Sequence, residues 1–295
     1  MSPSTGRRYP ITMICEVFDT PRSSFYASRR CHAEDRSLEK SGPKTEVCDD
    51  EILAAIREEL EDPQFAGEGY KKIHARLRNG RGMIVGKKRV LRIMRHENLL
   101  APVRKAHEHG DKAHRGTIIP DGPNKMWGTD GTKFWTEAEG WCWFFGTLDH
   151  FVTDVVGHHV AKIGDHFAAL EPIRQGVATH FGSIGPDVAR GLSLRHDWGS
   201  QYTSGDFQGE IKVYGIRSSP AYVSEPECNG VAERFMRTLR EQCLYLHRFK
   251  TLEEARKVIA DFIKRYNAHW ILERHGYRTP HQVRLSCTTN ATKAA

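Results

Sequence analysis

Two carboxylates in the second half of the sequence, Asp197 and Glu233, stand in segments suited to metal-ion chemistry. Asp197 lies within R-H-D-W-G-S-Q-Y-T-S, Glu233 lies within E-C-N-G-V-A-E-R-F-M-R-T-L-R, and 35 residues separate the two. Because 37 of the 295 residues are acidic, several acidic pairs at this separation are expected by chance. The spacing alone therefore indicates little, and the surrounding residues have to carry the interpretation.

The surroundings place each carboxylate at the end of a secondary-structure element. Asp197 follows the short run L-S-L-R-H and precedes the turn signal W-G-S, which predicts a carboxylate at the carboxyl end of a strand. Glu233 opens a helical pattern and shares one helix face with Arg237 and Arg240. Carboxylates bind hard divalent cations, and nearby arginines suit a phosphate backbone. For an isolated E-x-x-x-R, a solvated charged face is the alternative, as is an ion pair of these arginines with Glu241.

Together these segments resemble the catalytic core of insertion-sequence transposases (OrfB type) in the retroviral-integrase, or DDE, superfamily. The matching features are D-W-G-S-Q-Y-T-S, the 35-residue spacing, Asn229 four residues before Glu233, and Arg240 seven residues after it. The resemblance implies a further aspartate on a strand after a tryptophan, and M-W-G-T-D-G-T-K-F-W assigns it to Asp130. It thus implies that Asp130, Asp197 and Glu233 are the catalytic triad and the metal ligands.

The implied reaction is metal-dependent cleavage at the ends of a mobile element, followed by transfer of the freed 3′ hydroxyl to another phosphodiester. Two Mg²⁺ ions, or Mn²⁺, about 4 Å apart activate the attacking oxygen and stabilise the leaving one. Three carboxylates suffice to hold them, and no protein nucleophile is needed. Two alternatives stay open: a catalytically inactive DNA-binding regulator of transposition, and a ribonuclease H-type nuclease that cuts without joining.

The composition is that of a globular protein with a real core. Hydrophobic residues make up 39% and charged residues 27% of the chain, and no apolar run approaches the length of a membrane span. The seven cysteines form no C-x-x-C pair, which favours reduced thiols in a cytoplasmic protein. The formal net charge of +7 is modest for a DNA-binding protein, so the distribution of charge matters more.

Residues 1–45 predict an N-terminal helical segment. Asp19-Thr20-Pro21 interrupts an apolar helical pattern, and a second short helix could follow with Thr20 as its cap and Pro21 at its first position. Two short helices joined by a turn form either a helix-turn-helix that contacts DNA or a hairpin that only packs.

Residues 46–103 predict an all-α helix-turn-helix domain with a sharp reversal of charge. Residues 46–68 contain nine Asp or Glu and one basic residue, whereas residues 71–115 contain fourteen Lys or Arg and three acidic residues. Helices are expected over the apolar stripe from Ile52 to Leu60, ended by Asp62-Pro63, then from Tyr70 to a stop at Gly80, and over 87–96. The last carries the predicted DNA-binding residues Lys87, Lys88, Arg89, Arg92 and Arg95. The alternative is a basic surface that serves only solubility.

Residues 104–125 are polar and rich in Gly and Pro, and they predict a linker. Its His107, His109 and His114 have no cysteine near them, because none lies between Cys48 and Cys142, so the zinc module of retroviral integrases is not expected. Residues 126–285 predict the catalytic core with its C-terminal helix, and residues 286–295 a disordered tail. Within the core we expect three β-rich runs, a helix ending at Gly182, the Asp197 strand, a strand near 211–217, the Glu233 helix, and a helix with a Thr251–Glu254 capping box.

Sequence alone predicts a mixed α/β fold, and the resemblance makes it a ribonuclease H-like integrase core. We expect Asp149 and Asp154 to make structural hydrogen bonds and Asn229, Arg237 and Arg240 to contact DNA. The resemblance also implies partners and place: terminal inverted repeats and target DNA, homo-oligomers on DNA, assistance by or fusion to an upstream-frame product, and a bacterial cytoplasm near the nucleoid. No membrane partner is expected.

Overall fold

The computed structural model describes residues 6–33, 46–61, 65–102, 120–221 and 229–294 of the chain. The chain forms two compact units, Met1–Cys48 and Asp49–Ala295. His107, His109 and His114, with most of the predicted linker, lie outside the described residues. Among the helices that the structure describes, none is long and apolar enough to cross a membrane.

The first unit contains two helices, α1 (Ile11–Val17) and α2 (Arg22–Ala33). Pro21 directly precedes α2, whereas it was expected at the first helical position. The predicted Thr20 cap is also wrong, because the Thr20 hydroxyl donates backwards to the Phe18 carbonyl at 3.0 Å. A hydrogen bond within the turn, from Thr20 to Phe18, therefore closes it.

Three helices open the second unit: α3 (Asp49–Glu61), α4 (Tyr70–Arg81) and α5 (Lys87–His96). Each buries an apolar stripe at helical spacing. The residues buried between them include Ile52, Ile56, Ile73, Leu77, Val90, Ile93 and Met94. The helix α4 runs past the predicted stop at Gly80 and ends at Gly82, whose φ of 67° is the left-handed conformation that terminates helices.

This helical domain packs against the C-terminal part of the same unit. The ring of Phe65 lies 4.8 Å from that of Trp270 and 6.3 Å from that of Phe262, centroid to centroid. The Lys72 ammonium sits 3.2 Å above the Trp270 ring. Gln242 exchanges two hydrogen bonds with the backbone of Ala66, at 2.8 and 2.9 Å. Burial of an aromatic ring and paired polar contacts thus hold the helical domain to the core.

The core is built on one five-stranded sheet. Its strands are β1 (Met126–Thr136), β2 (Gly140–Asp149), β3 (Val155–Ala161), β4 (Ser193–His196) and β5 (Arg217–Pro220). In space they follow the order β3-β2-β1-β4-β5, with β1, β2 and β3 antiparallel and β4 and β5 parallel to β1. This order and these directions are those of the ribonuclease H-like fold, so that prediction is confirmed.

Helices cover both faces of the sheet. On one face α6 (His166–Phe181) is capped by Asp165 and ends at Gly182 as predicted. It approaches β3 so closely that a Cβ at Gly157 would lie 1.9 Å from the Pro172 carbonyl oxygen. On the other face lie α9 (Gly230–Gln242) and α10 (Leu252–His269), which share one apolar cluster with β1 and β2. Thr251 caps α10 by accepting from the Glu254 amide at 3.2 Å.

The predicted strand near 211–217 is wrong for most of its length. After the short α7 (Ser200–Thr203), the chain forms α8 (Gly205–Val213) and enters β5 only at Arg217. Ser204 caps α8, and Phe207 and Ile211 pack inward four residues apart, which is helical spacing. An apolar residue every four positions therefore decided the local structure.

Residues 286–294, which the sequence predicts to be disordered, belong to the last helix, α11 (Pro280–Ala294). Thr279 and Gln282 cap its start, since each accepts a hydrogen bond from the other's amide at 3.2 and 2.9 Å. Arg284 fastens the helix to the core through Asp154 at 2.5 Å and Asp149 at 3.2 Å. These long-range ion pairs leave no trace in the local sequence.

Candidate active site and nucleic-acid interface

Asp130 and Asp197 lie where two parallel strands separate. The pairing of β1 with β4 ends at Gly128 opposite Arg195, and each aspartate comes two residues later. Neighbouring strands lie about 4.8 Å apart, so the same register brings the two aspartates next to each other at this fork. This is the crevice at the carboxyl end of a strand that the sequence predicts for Asp197.

Glu233 reaches the same place from the first turns of α9. The Asn229 side-chain amide, just ahead of the helix, donates to the Thr129 carbonyl at 3.0 Å. That bond fixes the start of α9 beside the residue preceding Asp130. Glu233 follows one helical turn later and is exposed.

The ionisation of Asp130 shows that the three carboxylates share one electrostatic environment. Burial raises the pKa of Asp130 most, the negative charges of Asp197 and Glu233 raise it further, and the pKa reaches about 6. The Gly131 amide and the charge of Arg240 oppose this rise in pKa. Partial desolvation also raises the pKa of Glu233, although the residue as a whole is exposed, and the charge of Arg237 opposes this rise. The strand register and the start of α9 thus place Asp130, Asp197 and Glu233 around one fork of the sheet.

The two aspartates are oriented by backbone amides. Asp130 accepts from the Gly131 amide at 2.7 Å, and Asp197 accepts from the Gly199 amide at 2.8 Å. Among the described residues, no three His, Cys, Asp or Glu side chains are close enough to hold a metal ion as they stand. The carboxylates are thus within electrostatic range of each other but not at ligating distance.

Asn229, which the sequence predicts to contact DNA, is buried at the start of α9. Its side chain is 4% exposed and is committed to the Thr129 carbonyl. Below it, a Cβ at Gly128 would lie 2.7 Å from the Asn229 Oδ1 and 2.4 Å from the His150 Nε2. Gly128 therefore makes room for both side chains, and Asn229 acts by holding α9 to β1.

Gly128 and His150 are site residues that the sequence reasoning missed. A glycine inside a strand signals a close approach of another group, and Gly128 stands two residues before Asp130. His150 gave no signal, since its position after β2 matters only once the sheet has formed. Burial, with the charge of Arg195 second, lowers the pKa of His150 to about 4, so the imidazole is neutral.

Three other acid or imidazole groups near the site have structural roles. Asp149 accepts from the Phe151 amide at 2.8 Å, and Asp154 pairs with Arg284, which confirms the prediction for these aspartates. His196 contacts the Asp197 carbonyl through Nδ1 at 2.7 Å and the Ser218 hydroxyl through Nε2 at 2.9 Å. It links β4 to β5 directly beneath Asp197.

On α5, part of the predicted DNA-binding charge is already neutralised within the protein. Asp49, on α3, accepts from Arg89 and Arg92 at 2.6 Å each, and hydrogen bonds from these two arginines, Arg92 first, lower the pKa of Asp49. Lys88 and Arg95 are exposed. Lys87 is exposed as well, and its ammonium lies 5.7 Å from the Tyr277 ring centroid. The acidic helix and the basic helix are therefore partners in packing.

Two family models match the chain. An HTH-like domain matches residues 48–107, and an integrase core domain matches residues 214–280. The integrase-core match contains Glu233 and begins after Asp130 and Asp197, so the grouping of the three carboxylates rests on the geometry above.

Curated relatives of the chain are insertion-sequence transposases. It is 22% identical over 272 residues to the putative transposase InsK for element IS150 of Escherichia coli K12, covering 89% of each chain. It is 26% identical over 219 residues to the transposase InsD for element IS2A/D/F/H/I/K of Escherichia coli, covering 72% of each.

Among solved structures, the chain is similar to a simian T-cell lymphotropic virus intasome (TM-score 0.45, 17% identity, 78% of this chain and 73% of that one). It is also similar to the catalytic core of BIV integrase (TM-score 0.43, 19% identity, 58% of this chain and 99% of that one). The chain thus matches an HTH-like domain and, further along, part of an integrase core domain, and it is similar over most of its length to insertion-sequence transposases.

Proposed function

We propose that the chain is a DDE transposase that binds the ends of an insertion sequence and cleaves and joins DNA with Asp130, Asp197 and Glu233. The observation that carries the proposal is geometric: Asp130 and Asp197 each stand two residues beyond the last paired residues of β1 and β4, and Asn229 ties the start of the Glu233 helix to the residue before Asp130. Three elements distant in sequence thus concentrate negative charge at one fork of the sheet. Such a cluster is costly unless it serves to attract cations.

The donors fit Mg²⁺, with Mn²⁺ as the alternative. All three side chains offer hard carboxylate oxygens, and the backbone bonds to Gly131 and Gly199 hold two of them in place. When bound, two such ions supply activation of the attacking oxygen and stabilisation of the leaving oxygen. With a pKa of about 6, Asp130 is mostly ionised at neutral pH, as a ligand has to be.

Arg237 and Arg240 complete the active site on the DNA side. They stand about 6 Å and 10.5 Å beyond Glu233 along the helix axis. They share a helix face with Glu233, and the positive charges of Arg237 and Arg240 lower the pKa of Glu233 and of Asp130 respectively. We infer that they hold the phosphates next to the scissile one and lower the barrier by positioning.

Cleavage and strand transfer test this function, on duplexes whose ends are any inverted repeats found in the DNA on either side of the gene. Asp197→Asn should abolish both reactions and leave DNA affinity within about twofold, because a metal ligand is lost and the basic helices are untouched. Asp261→Asn, an exposed carboxylate on α10, is the matched control and should stay active. Binding without cleavage by the parent chain would instead indicate an inactive regulator, and cleavage without joining a nuclease.

We further propose that α5 recognises the element ends. Its exposed Lys88 and Arg95 suit phosphates on either side of a major groove. Lys88→Ala/Arg95→Ala should weaken duplex binding and reduce the slope of log affinity against log salt by about 2, since two fewer counterions are released. Lys257→Ala/Lys264→Ala on α10 removes the same charge and should leave both unchanged. Equal effects of the two double variants would show that only net charge matters.

Partners and location follow from this function. Because an element has two ends, we infer that the chain acts on DNA as a homo-oligomer, with or without an upstream-frame product. Its substrates place it with the bacterial nucleoid.

A further inference from the structure

A concave surface of about 550 Å³ lies between the end of the β1–β2 hairpin and the segment that follows α9. We call it the aromatic pocket. The lining residues that matter here are Lys133, Trp135, Trp141, Tyr245, His247 and Arg248.

The pocket displays aromatic rings that a folded chain ordinarily covers. Trp135 is 55%, Trp141 59% and Tyr245 72% exposed. Trp135 and Trp141 are direct cross-strand partners, and their rings meet edge to face with centroids 5.5 Å apart. Contiguous exposed rings lining a concavity mark a binding surface rather than a packing defect.

The aromatic pocket lies further along the strand that carries Asp130. Along β1, Lys133 and Trp135 lie three and five residues beyond Asp130, about 10 and 17 Å away. Helix α9 runs beside β1 in the same direction, because Asn229 contacts Thr129 at its start and the following segment pairs in parallel at Thr136–Phe249. Because side chains alternate along a strand, Lys133 and Trp135 point to the opposite side of the sheet from Asp130, and the pocket lies at the far end of the strand that carries this carboxylate.

The charged residues that line the aromatic pocket indicate what it binds. Lys133 and Arg248 are exposed cations in the pocket, His247 is exposed beside them, and Glu137 is the one acidic residue among those that line it. Proteins bind unpaired DNA strands by combining exposed cations with exposed aromatic rings. The phosphates contact the cations, and the bases stack on the rings.

We propose that the aromatic pocket binds unpaired bases of a DNA strand. This assignment rests on the proposed function, since it makes the pocket a subsite for the same substrate. Trp135, Trp141 and Tyr245 supply the stacking surfaces, and Lys133 and Arg248 contact the phosphates.

The test measures binding of a fluorescent single-stranded 12-mer and of a fully paired duplex, without divalent metal, to the full chain carrying Asp197→Asn. Replacing both pocket tryptophans by leucine keeps an apolar surface and removes the stacking faces. Trp135→Leu/Trp141→Leu should lower affinity for the single strand about tenfold and leave the duplex within twofold. Trp135→Phe/Trp141→Phe should restore most of the loss. Phe167→Leu, an exposed ring on α6, is the control.

A second readout locates the contact. A 12-mer with 5-iododeoxyuridine should cross-link to the peptides that contain Trp135, Trp141 or Tyr245, and Arg248→Ala should reduce this yield. Unchanged single-strand affinity in the leucine variant, or cross-links confined to other peptides, would overturn the proposal. So would a leucine variant that sediments as a smaller species with DNA binding unchanged, because the pocket would then be an interface between copies. Since no cleavage is measured, failure of the catalytic proposal would appear separately.

Discussion

At Asp130 the electrostatic cost of grouping carboxylates can be measured as a change in stability with pH. Its pKa of about 6 exceeds the ordinary 3.8 because burial and two neighbouring carboxylates disfavour its charge. In the folded state Asp130 therefore takes up its proton at higher pH than in the unfolded state. Stability contributed by the neutral form is present below pH 3.8 and is lost as pH rises through 6.

Asp130→Asn should accordingly stabilise the metal-free protein at pH 7.5 by about 1 to 3 kcal/mol. Asparagine keeps an oxygen for the Gly131 amide and carries no charge. The gain should shrink towards zero as pH falls from 6 to 4. Urea unfolding at several pH values measures it, with Asp261→Asn as the control. A loss of stability at pH 7.5 would contradict the electrostatic description of the site.

The carboxylates of the proposed active site could be named from sequence, whereas the contacts that position them could be named only in part. Asp130, Asp197 and Glu233 were identifiable from the motifs around them. Asn229 belongs to the same motif, and its contact with DNA stays a prediction. Its burial could not be predicted, because it depends on the contact of α9 with β1 and not on neighbouring residues. Gly128 carried a weak signal and His150 none.

Asn229→Ala should impair catalysis without weakening DNA binding. Loss of its bond to Thr129 frees the start of α9, and a displacement of Glu233 by about 1 Å can cost about a hundredfold in rate. Asn267→Ala is the matched control, because Asn267 makes two similar bonds to the backbone of Val155 at 2.9 and 3.0 Å. Both variants should lose about 1 to 3 kcal/mol of stability. Reduced DNA affinity for Asn229→Ala alone, with its cleavage rate unchanged, would restore direct DNA contact.

At the scale of elements, periodicity predicted what local sequence determines. Helices α5, α6, α9 and α10 each bury a stripe with helical spacing, and each was expected. The strand expected near 211–217 failed because a short apolar run fits a strand or a helix equally well. The prediction of a disordered tail failed for another reason. Arg284 holds α11 to the core, and its partners lie 130 and 135 residues away in sequence.

Arg284→Met should destabilise the protein by about 3 to 5 kcal/mol, because it leaves the buried carboxylates of Asp149 and Asp154 without their cation. Arg190→Met, which breaks an exposed pair with Asp187, should cost less than about 0.5 kcal/mol. Urea unfolding of the two variants at pH 7.5 compares them. Similar small losses would show that α11 contributes little to the core.

At the scale of the molecule, the reversal of charge between 46–68 and 71–115 has two consequences. Some of the opposite charges meet inside the helical domain, where Asp49 holds Arg89 and Arg92. Others, such as Lys88 and Arg95, remain on the surface. Sequence could show the excess of charge but not this division. Contacts such as Phe65 with Trp270 then join the helical domain to the sheet that carries the carboxylates.

Binding of Mn²⁺ to the full chain on a duplex end, followed by calorimetry, tests most directly whether three distant segments form one metal site. We predict that Asp130→Asn, Asp197→Asn and Glu233→Gln each abolish the tight binding seen with the parent, whereas Asp261→Asn leaves it intact. If Glu233→Gln binds Mn²⁺ with the parental stoichiometry and affinity, Glu233 does not belong to the site and the proposed triad is wrong.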